Sequence, residues 1–357
     1  MSQNINEAQQ QPAKISRKSV IIGVVILVAA IALTFYTIIK NLSGHDIIAT
    51  LKQVSPLVIV IGLVMMLLFS FFEGLNMYRV LKLAGYPVTL WTTWKYAIVG
   101  FFYSGITPSS SGGQPMQIYY MYQDNIRLSH ALGAVIMQLF GHEAANALFG
   151  LVGFIALNHM IVGTIGHLKY LVCFGILINV AYFFFLALCL FSQKAITLIK
   201  TFLTWFIGLF DRKKSGKLQK KIGNILDEYS SLHDLIKQDR TIAIKTIITA
   251  ILQFICLYSI PAIVYFGFGY TDFNFFEIEL LQGVIFISVG FIPIPGSAGV
   301  SEGMTLMLFR LLYPAATLGG AVLLGRCLSM YFTLILYCII LFVFISIFKV
   351  LKNRRNN

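Results

Sequence analysis

Long apolar runs, each of 20 residues or more, alternate along this chain with polar joints. A helix rises 1.5 Å per residue, so about 20 apolar positions cross the ~30 Å hydrocarbon core of a bilayer. Runs of that kind fall at 20–39, 56–81, 131–157, 169–191, 241–266 and 315–348, which predicts six full spans. Two further apolar stretches break in the middle. Residues 96–106 and 115–122 flank Gly105-Ile-Thr-Pro-Ser-Ser-Ser-Gly-Gly-Gln-Pro-Met116. Residues 276–292 and 300–311 flank Gly290-Phe-Ile-Pro-Ile-Pro-Gly-Ser-Ala-Gly-Val-Ser-Glu-Gly-Met304. Backbone that leaves the helix inside a bilayer is tolerated only where protein or a polar cavity surrounds it. The pieces are too short for full crossings, so each pair reads as a re-entrant helical hairpin. A chain of eight full spans is the competing topology.

The order span, span, hairpin, span then occurs twice, with the first hairpin entering from the cytoplasm and the second from outside. The expected fold class is an all-α polytopic membrane protein of two inverted repeats, 18–157 and 168–350. Weak self-similarity agrees: Gly105-x-x-Pro108 and Gly290-x-x-Pro293 stand 185 positions apart (290 − 105), and Leu132-Gly133 and Leu318-Gly319 stand 186 apart (318 − 132). Paired Gly/Pro interruptions at matching places in two halves point to a transporter's binding site.

Composition narrows the class. Charged residues make up 11% of the chain, against roughly a quarter in soluble domains. The net charge of +13 would fit a nucleic-acid binder, but the basic residues cluster at span borders, as the positive-inside rule requires. No nucleic-acid partner is therefore expected. The polar tail 1–17 is expected to be disordered, and 351–357 is a short basic tail. Both termini are expected in the cytoplasm of a cell with this protein in its plasma membrane. The longest polar stretch, 194–240, is rich in Lys and Arg and reads as a cytoplasmic insert. Within it Ile222, Ile225, Leu226, Tyr229, Leu232, Leu235 and Ile236 recur at helical spacing, predicting an amphipathic helix on the inner leaflet or against the bundle. The five cysteines lie in apolar spans without metal-ligand spacing.

The candidate chemistry sits at the breaks and at ionisable residues inside spans. Ser109–Ser111 are expected to cap a helix opening at Gln114 and Pro115, and Ser297 or Ser301 one holding Glu302. Each outgoing half-helix would then aim unpaired N–H groups at mid-membrane, where a phosphate is the obvious anion. This singles out Ser110, Ser111, Gly112, Gly113 and Gln114 in the first break, and Pro295, Gly296, Ser297, Gly299 and Glu302 in the second. Ionisable groups within spans cost roughly 2.5–3.5 kcal/mol on insertion scales, so they pair or serve a function. Gln138, His142 and Asn146 form an i, i+4, i+8 stripe, with Glu143 beside it. Arg326 is the expected headgroup cation, balanced by Glu143, Glu302 and Glu73, with Asn76 in support. Arg79 and Arg310 are expected to snorkel at interfaces. His142-Glu143-Ala-Ala-Asn146 is half of a zinc-protease helix, with asparagine where the second ligand would stand. No metal or cofactor site is expected.

The segments Thr107-Pro-Ser-Ser-Ser-Gly-Gly-Gln-Pro115 and Pro293-Ile-Pro-Gly-Ser-Ala-Gly-Val-Ser-Glu302 resemble motifs of the lysylphosphatidylglycerol synthase transmembrane family. This is the flippase domain of bacterial multiple peptide resistance factors and their stand-alone relatives. The resemblance extends over about residues 20–350. It implies a flippase that moves an anionic or aminoacylated phospholipid, such as lysyl-phosphatidylglycerol, between leaflets, contributing to resistance to cationic antimicrobial peptides. The soluble aminoacyl-transferase domain of full-length members has no counterpart in this sequence, which argues against lysyl transfer from tRNA. A phosphatidylglycerol lysyltransferase and a membrane scaffold for a separate lipid synthase stand as alternatives. The expected partner is membrane phospholipid, with homo-oligomers and a separate synthase left open.

Overall fold

A computed structural model describes residues 54–107, 111–210, 215–239, 241–290 and 300–342. The expected first span at 20–39, both tails and the centres of both breaks lie outside the described residues. Every element described is helical: α1 (Pro56–Leu83), α2 (Leu90–Ile106), α3 (Gly113–Gln123), α4 (Leu128–Ala156), α5 (Asn158–Ile165), α6 (Lys169–Phe191), α7 (Gln193–Phe210), α8 (Ser215–Gln238), α9 (Thr241–Gly267), α10 (Phe275–Val289), α11 (Val300–Phe309) and α12 (Ala315–Arg326). Among the described residues five helical stretches are long and apolar enough to cross a membrane: Pro56–Leu83, Leu128–Ala156, Asn158–Phe191, Thr241–Gly267 and Ala315–Phe342. The chain is thus a helical membrane protein.

Local sequence explains the helix ends. Ser55 caps α1 through its hydroxyl, with Pro56 in the first position, where its missing N–H costs nothing. The same helix stops at Gly85, whose φ of +83° lets Tyr86 N–H return to Leu81 O at 3.0 Å. Asn274 and Glu277 form a reciprocal capping box at the start of α10.

The structure departs from the sequence expectations at a few points. The expected loop at 158–167 is largely helical, as α5 and a short 3-10 turn leading into α6, because nothing interrupts its apolar run before Gly166 at φ +53°. The first hairpin arm begins at Leu90 rather than 96, since Thr89 caps Thr92 N–H at 3.2 Å. Trp94, half-buried on this arm, donates to Ser70 Oγ at 2.8 Å and so ties α2 to α1. The resulting 17-residue helix is about 25 Å long, well beyond half a span. The amphipathic helix expected within the insert is α8, and a further helix, α7, precedes it.

The packing centres on α1 against α9, with α4 covering both. In α9, 61% of the apolar window is buried, against 22% for the α5–α6 stretch, so α9 is the interior helix and α6 a peripheral one. Helices α2 and α3 pack on each other, and Asp124 ties their ends by accepting from Lys95 Nζ at 2.7 Å and Tyr96 OH at 2.6 Å. The pair is therefore a hairpin whose base lies beside the start of α4. Helices α10 and α11 also pack together. Phe273, Glu277, Leu311 and Leu312 meet Leu157 around one small apolar void, which puts the base of this second pair at the far end of α4. The last span carries a π turn at Cys327–Tyr331, directly after Arg326.

Candidate functional site

Three polar clusters occupy the helix interfaces, and each is assembled from residues far apart in the chain. The first joins α1, α3 and α9. Gln117 donates to Glu73 Oε1 at 2.7 Å, and Gln253 donates to Glu73 Oε2 at 3.4 Å. All three side chains are buried. Gly100 makes the approach of α3 possible, because a side chain there would collide with the Gln117 amide. One turn along α1, Asn76 accepts from Arg79 at 2.9 Å and donates to Thr246 O at 3.5 Å. Arg79 also donates to Lys245 O at 3.0 Å and Thr249 Oγ1 at 2.7 Å. Arg79 was expected to snorkel at an interface; instead it bridges α1 and α9, because the start of α9 offers it a carbonyl and a hydroxyl.

The second cluster joins α4, α6 and α9. Asn146 donates to Asn179 Oδ1 at 2.7 Å and accepts from Tyr258 OH at 3.1 Å. Asn179 in turn donates to Gly175 O at 2.8 Å within α6. His142 stands edge-on to the Phe254 ring, centroids 4.6 Å apart. Gln138 is buried one turn before it. The expected stripe therefore exists and faces α9. His142 Nδ1 and Glu143 Oε2 on α4, and Thr246 Oγ1 and Gln253 Oε1 on α9, are buried without a hydrogen-bond partner. Buried polar atoms are rarely left unsatisfied, so orphaned ones on facing helices mark where water or a polar ligand belongs.

The third cluster joins α11 and α12. Arg326 Nε pairs with Glu302 Oε1 at 2.9 Å, with Glu302 almost wholly buried, and Arg326 also donates to the Ser301 hydroxyl. Of the acids expected around Arg326, Glu302 is the one it pairs with. Glu73 is held by Gln117 and Gln253, and Glu143 lies toward Tyr182 and Tyr258.

The caps expected at the breaks differ in detail. Helix α3 opens after Gly112, which has no side chain to cap with. Thr107 closes the turn instead: its hydroxyl donates to Tyr103 O at 2.6 Å and accepts from Gly112 N–H at 2.9 Å. Gly113 and Gln114 form the first turn of α3, and Ser111 precedes it. Ser301 lies inside α11, so it is not that helix's cap; its hydroxyl is engaged by Arg326. Ser109, Ser110, Pro295, Gly296, Ser297 and Gly299 lie outside the described residues.

Reading the sequence for charges overlooked the neutral partners Gln117, Thr249, Gln253, Asn179 and Tyr258. A usable signal was present for two of them. Asn179 is a lone carboxamide in an apolar span, and Gln117 stands 185 positions before Glu302 (302 − 117), the offset that relates the two breaks. Glu279 was also overlooked; it is buried on α10 with neither carboxylate oxygen hydrogen-bonded.

The model of the lysylphosphatidylglycerol synthase transmembrane region matches residues 20–336. A UPF0104 membrane protein of Archaeoglobus fulgidus is 20% identical over 316 residues, covering 86% of this chain and 92% of that protein. With nearly the whole length matched and the helical membrane fold in place, the chain belongs to the lysylphosphatidylglycerol synthase transmembrane family.

Proposed function

We propose that this protein is a lipid translocase that carries an anionic or aminoacylated phospholipid, such as lysyl-phosphatidylglycerol, between the leaflets of a bacterial plasma membrane. The observation that carries this reading is the set of orphaned polar atoms on α4 and α9, buried inside the helix bundle. A purely structural network would satisfy its own members, whereas a headgroup path leaves hydrogen-bonding capacity for its passenger. Arg326, one-fifth exposed beside Glu302, is the cation that would meet a phosphate.

The arrangement also supports two inverted repeats. The two hairpins open from opposite ends of α4. Contacts pair off accordingly: α1 with α2 matches α9 with α10, α2 with α3 matches α10 with α11, and α3 with α4 matches α11 with α12. Gln117 on α3 and Glu302 on α11 occupy equivalent positions, and each binds a polar residue of a neighbouring span. Rocking one repeat against the other would expose the polar seam to each leaflet in turn. Lys82, Lys95, Arg127, Lys237 and Lys245 fall on the segments that lead into and out of the base of the first hairpin, which supports a cytoplasmic position for that end.

The test is a leaflet assay in proteoliposomes holding fluorescent phosphatidylglycerol or lysyl-phosphatidylglycerol, quenched by a membrane-impermeant reductant. Wild-type protein is expected to expose nearly all of the label, and Arg326→Ala only the outer-leaflet share seen in empty liposomes. Exposure by the wild type no greater than in empty liposomes would overturn the reading. Formation of lysyl-lipid from charged tRNA by the purified chain would favour a transferase instead.

A further inference from the structure

A second surface lies away from the polar seam and stands independently of the transport reading. Ser192 breaks the chain at the end of α6 with extended backbone, φ −118° and ψ 106°, so α7 departs from the span instead of prolonging it. One side of α7 is held by α8, through Gln193 to Ser230 and through Lys200 to Asp227 at 2.6 Å. Helix α8 is in turn fastened to the bundle. Tyr229 OH donates to Cys189 O at 3.2 Å, Ser129 donates to Glu228 at 2.8 Å, and Leu232 is fully buried against α4. These anchors lie at the start of α4 and the end of α6, the end of the bundle that carries the basic residues.

The opposite side of α7 is exposed and apolar over its described side chains. Leu198, Phe202 and Trp205 follow one another at i, i+4 and i+7 and are 71%, 56% and 59% exposed. Helical spacing puts them on one stripe. The sequence after α7 reads Arg212-Lys-Lys-Ser-Gly-Lys-Leu-Gln-Lys-Lys221, preceded by the single acid Asp211. An apolar stripe with interfacial aromatics beside a strongly basic stretch is the pattern of a helix lying in the plane of an anionic membrane surface.

We infer that α7 is an interfacial helix that docks on anionic lipid of the cytoplasmic leaflet, with α8 as the bracket that holds it there. The occupant follows from the charge: polybasic stretches are drawn to phosphatidylglycerol-type headgroups, while the Phe202–Trp205 pair, with ring centroids 6.0 Å apart, seats among the acyl carbonyls.

The full-length protein in nanodiscs tests this. Bromine on the acyl chains quenches tryptophan only when the two are in contact, and the Trp205 contribution is the difference between wild type and Trp205→Phe. In nanodiscs of brominated phosphatidylglycerol most of the Trp205 emission is expected to be lost, while aqueous iodide leaves it unchanged. Replacing Lys213, Lys214, Lys217 and Lys220 together by glutamine is expected to weaken bromolipid quenching and admit iodide. Trp205 quenched by iodide and untouched by bromolipid in the wild type would overturn the inference, since the stripe would then face water. Protection from both quenchers would overturn it equally, by showing that a second protein copy covers α7. Quenching by bromolipid that is identical in phosphatidylcholine and unaffected by the lysine replacements would refute the anionic preference.

Discussion

Replacing Gly100 by alanine would place a methyl carbon 2.0 Å from Gln117 Nε2 and 2.6 Å from its Cδ. Such carbon contacts do not fall below 3.0 Å, so the Gln117 side chain must leave its position. It then gives up the 2.7 Å hydrogen bond to Glu73, and a buried carboxyl oxygen on α1 loses its donor. Leaving a buried acceptor unsatisfied costs about 1–3 kcal/mol. Alanine gains back about 1 kcal/mol over glycine in a helix interior. The expected net effect is a destabilisation of about 1 kcal/mol. If Gly100 were merely a lax helix position, the sign would reverse and alanine would stabilise by about 1 kcal/mol. Unfolding in mixed detergent–SDS micelles, followed for wild type, Gly100→Ala, Gln117→Ala and the double variant, separates the two cases. With Gln117 truncated there is nothing to collide with, so Gly100→Ala should become neutral or stabilising, giving a coupling of about 1–2 kcal/mol. A stabilising Gly100→Ala in the wild type, or a penalty undiminished in the Gln117→Ala background, would refute the reasoning.

Other perturbations probe the remaining contacts. Glu302→Gln or Arg326→Gln alone should cost about 3 kcal/mol, the low end for a broken buried pair, because Arg326 keeps 21% side-chain exposure. The double variant should recover part of that loss in the same unfolding assay, and strict additivity would show that the pair is not coupled. Glu279→Leu should raise stability by about 1–3 kcal/mol, since it removes a buried carboxyl with no hydrogen-bond partner; a loss of stability would reveal an unrecognised partner. A Cβ at Gly175 would lie 2.2 Å from the Ile287 carbonyl oxygen, so Gly175→Ala must push α6 away from α10. It should cost about 1–3 kcal/mol in unfolding, and an unchanged midpoint would disprove that contact.

Much of the secondary structure was legible because a bilayer makes few demands and makes them strictly. Each long apolar run had to be a helix, since no other local structure satisfies its backbone in hydrocarbon. The five spans among the described residues follow the apolar runs to within a few positions, apart from α5, whose short helix runs on from α4 through an apolar sequence without a strong breaker. Where the reading fell short, a side chain served two purposes. Trp94 has the residue type of an interfacial anchor, and it also reaches Ser70 across the α1–α2 contact. Arg79 has the position of a snorkelling residue, yet its partners lie 166 and 170 residues away.

The sequence alone determined that this is a helical membrane protein with two broken apolar stretches at matching places, because hydrophobic length and Gly/Pro punctuation are local properties. It also marked Glu73, His142, Glu143, Asn146, Glu302 and Arg326 as costly residues that needed a reason to be there. Only the tertiary structure decided how they group: Glu73 with two glutamines, Asn146 with Asn179 and Tyr258, and Arg326 with Glu302. The physical reason is that a polar group in an apolar interior takes whichever partner the packing of α1, α4 and α9 brings within about 3 Å, and sequence spacing carries no record of that choice.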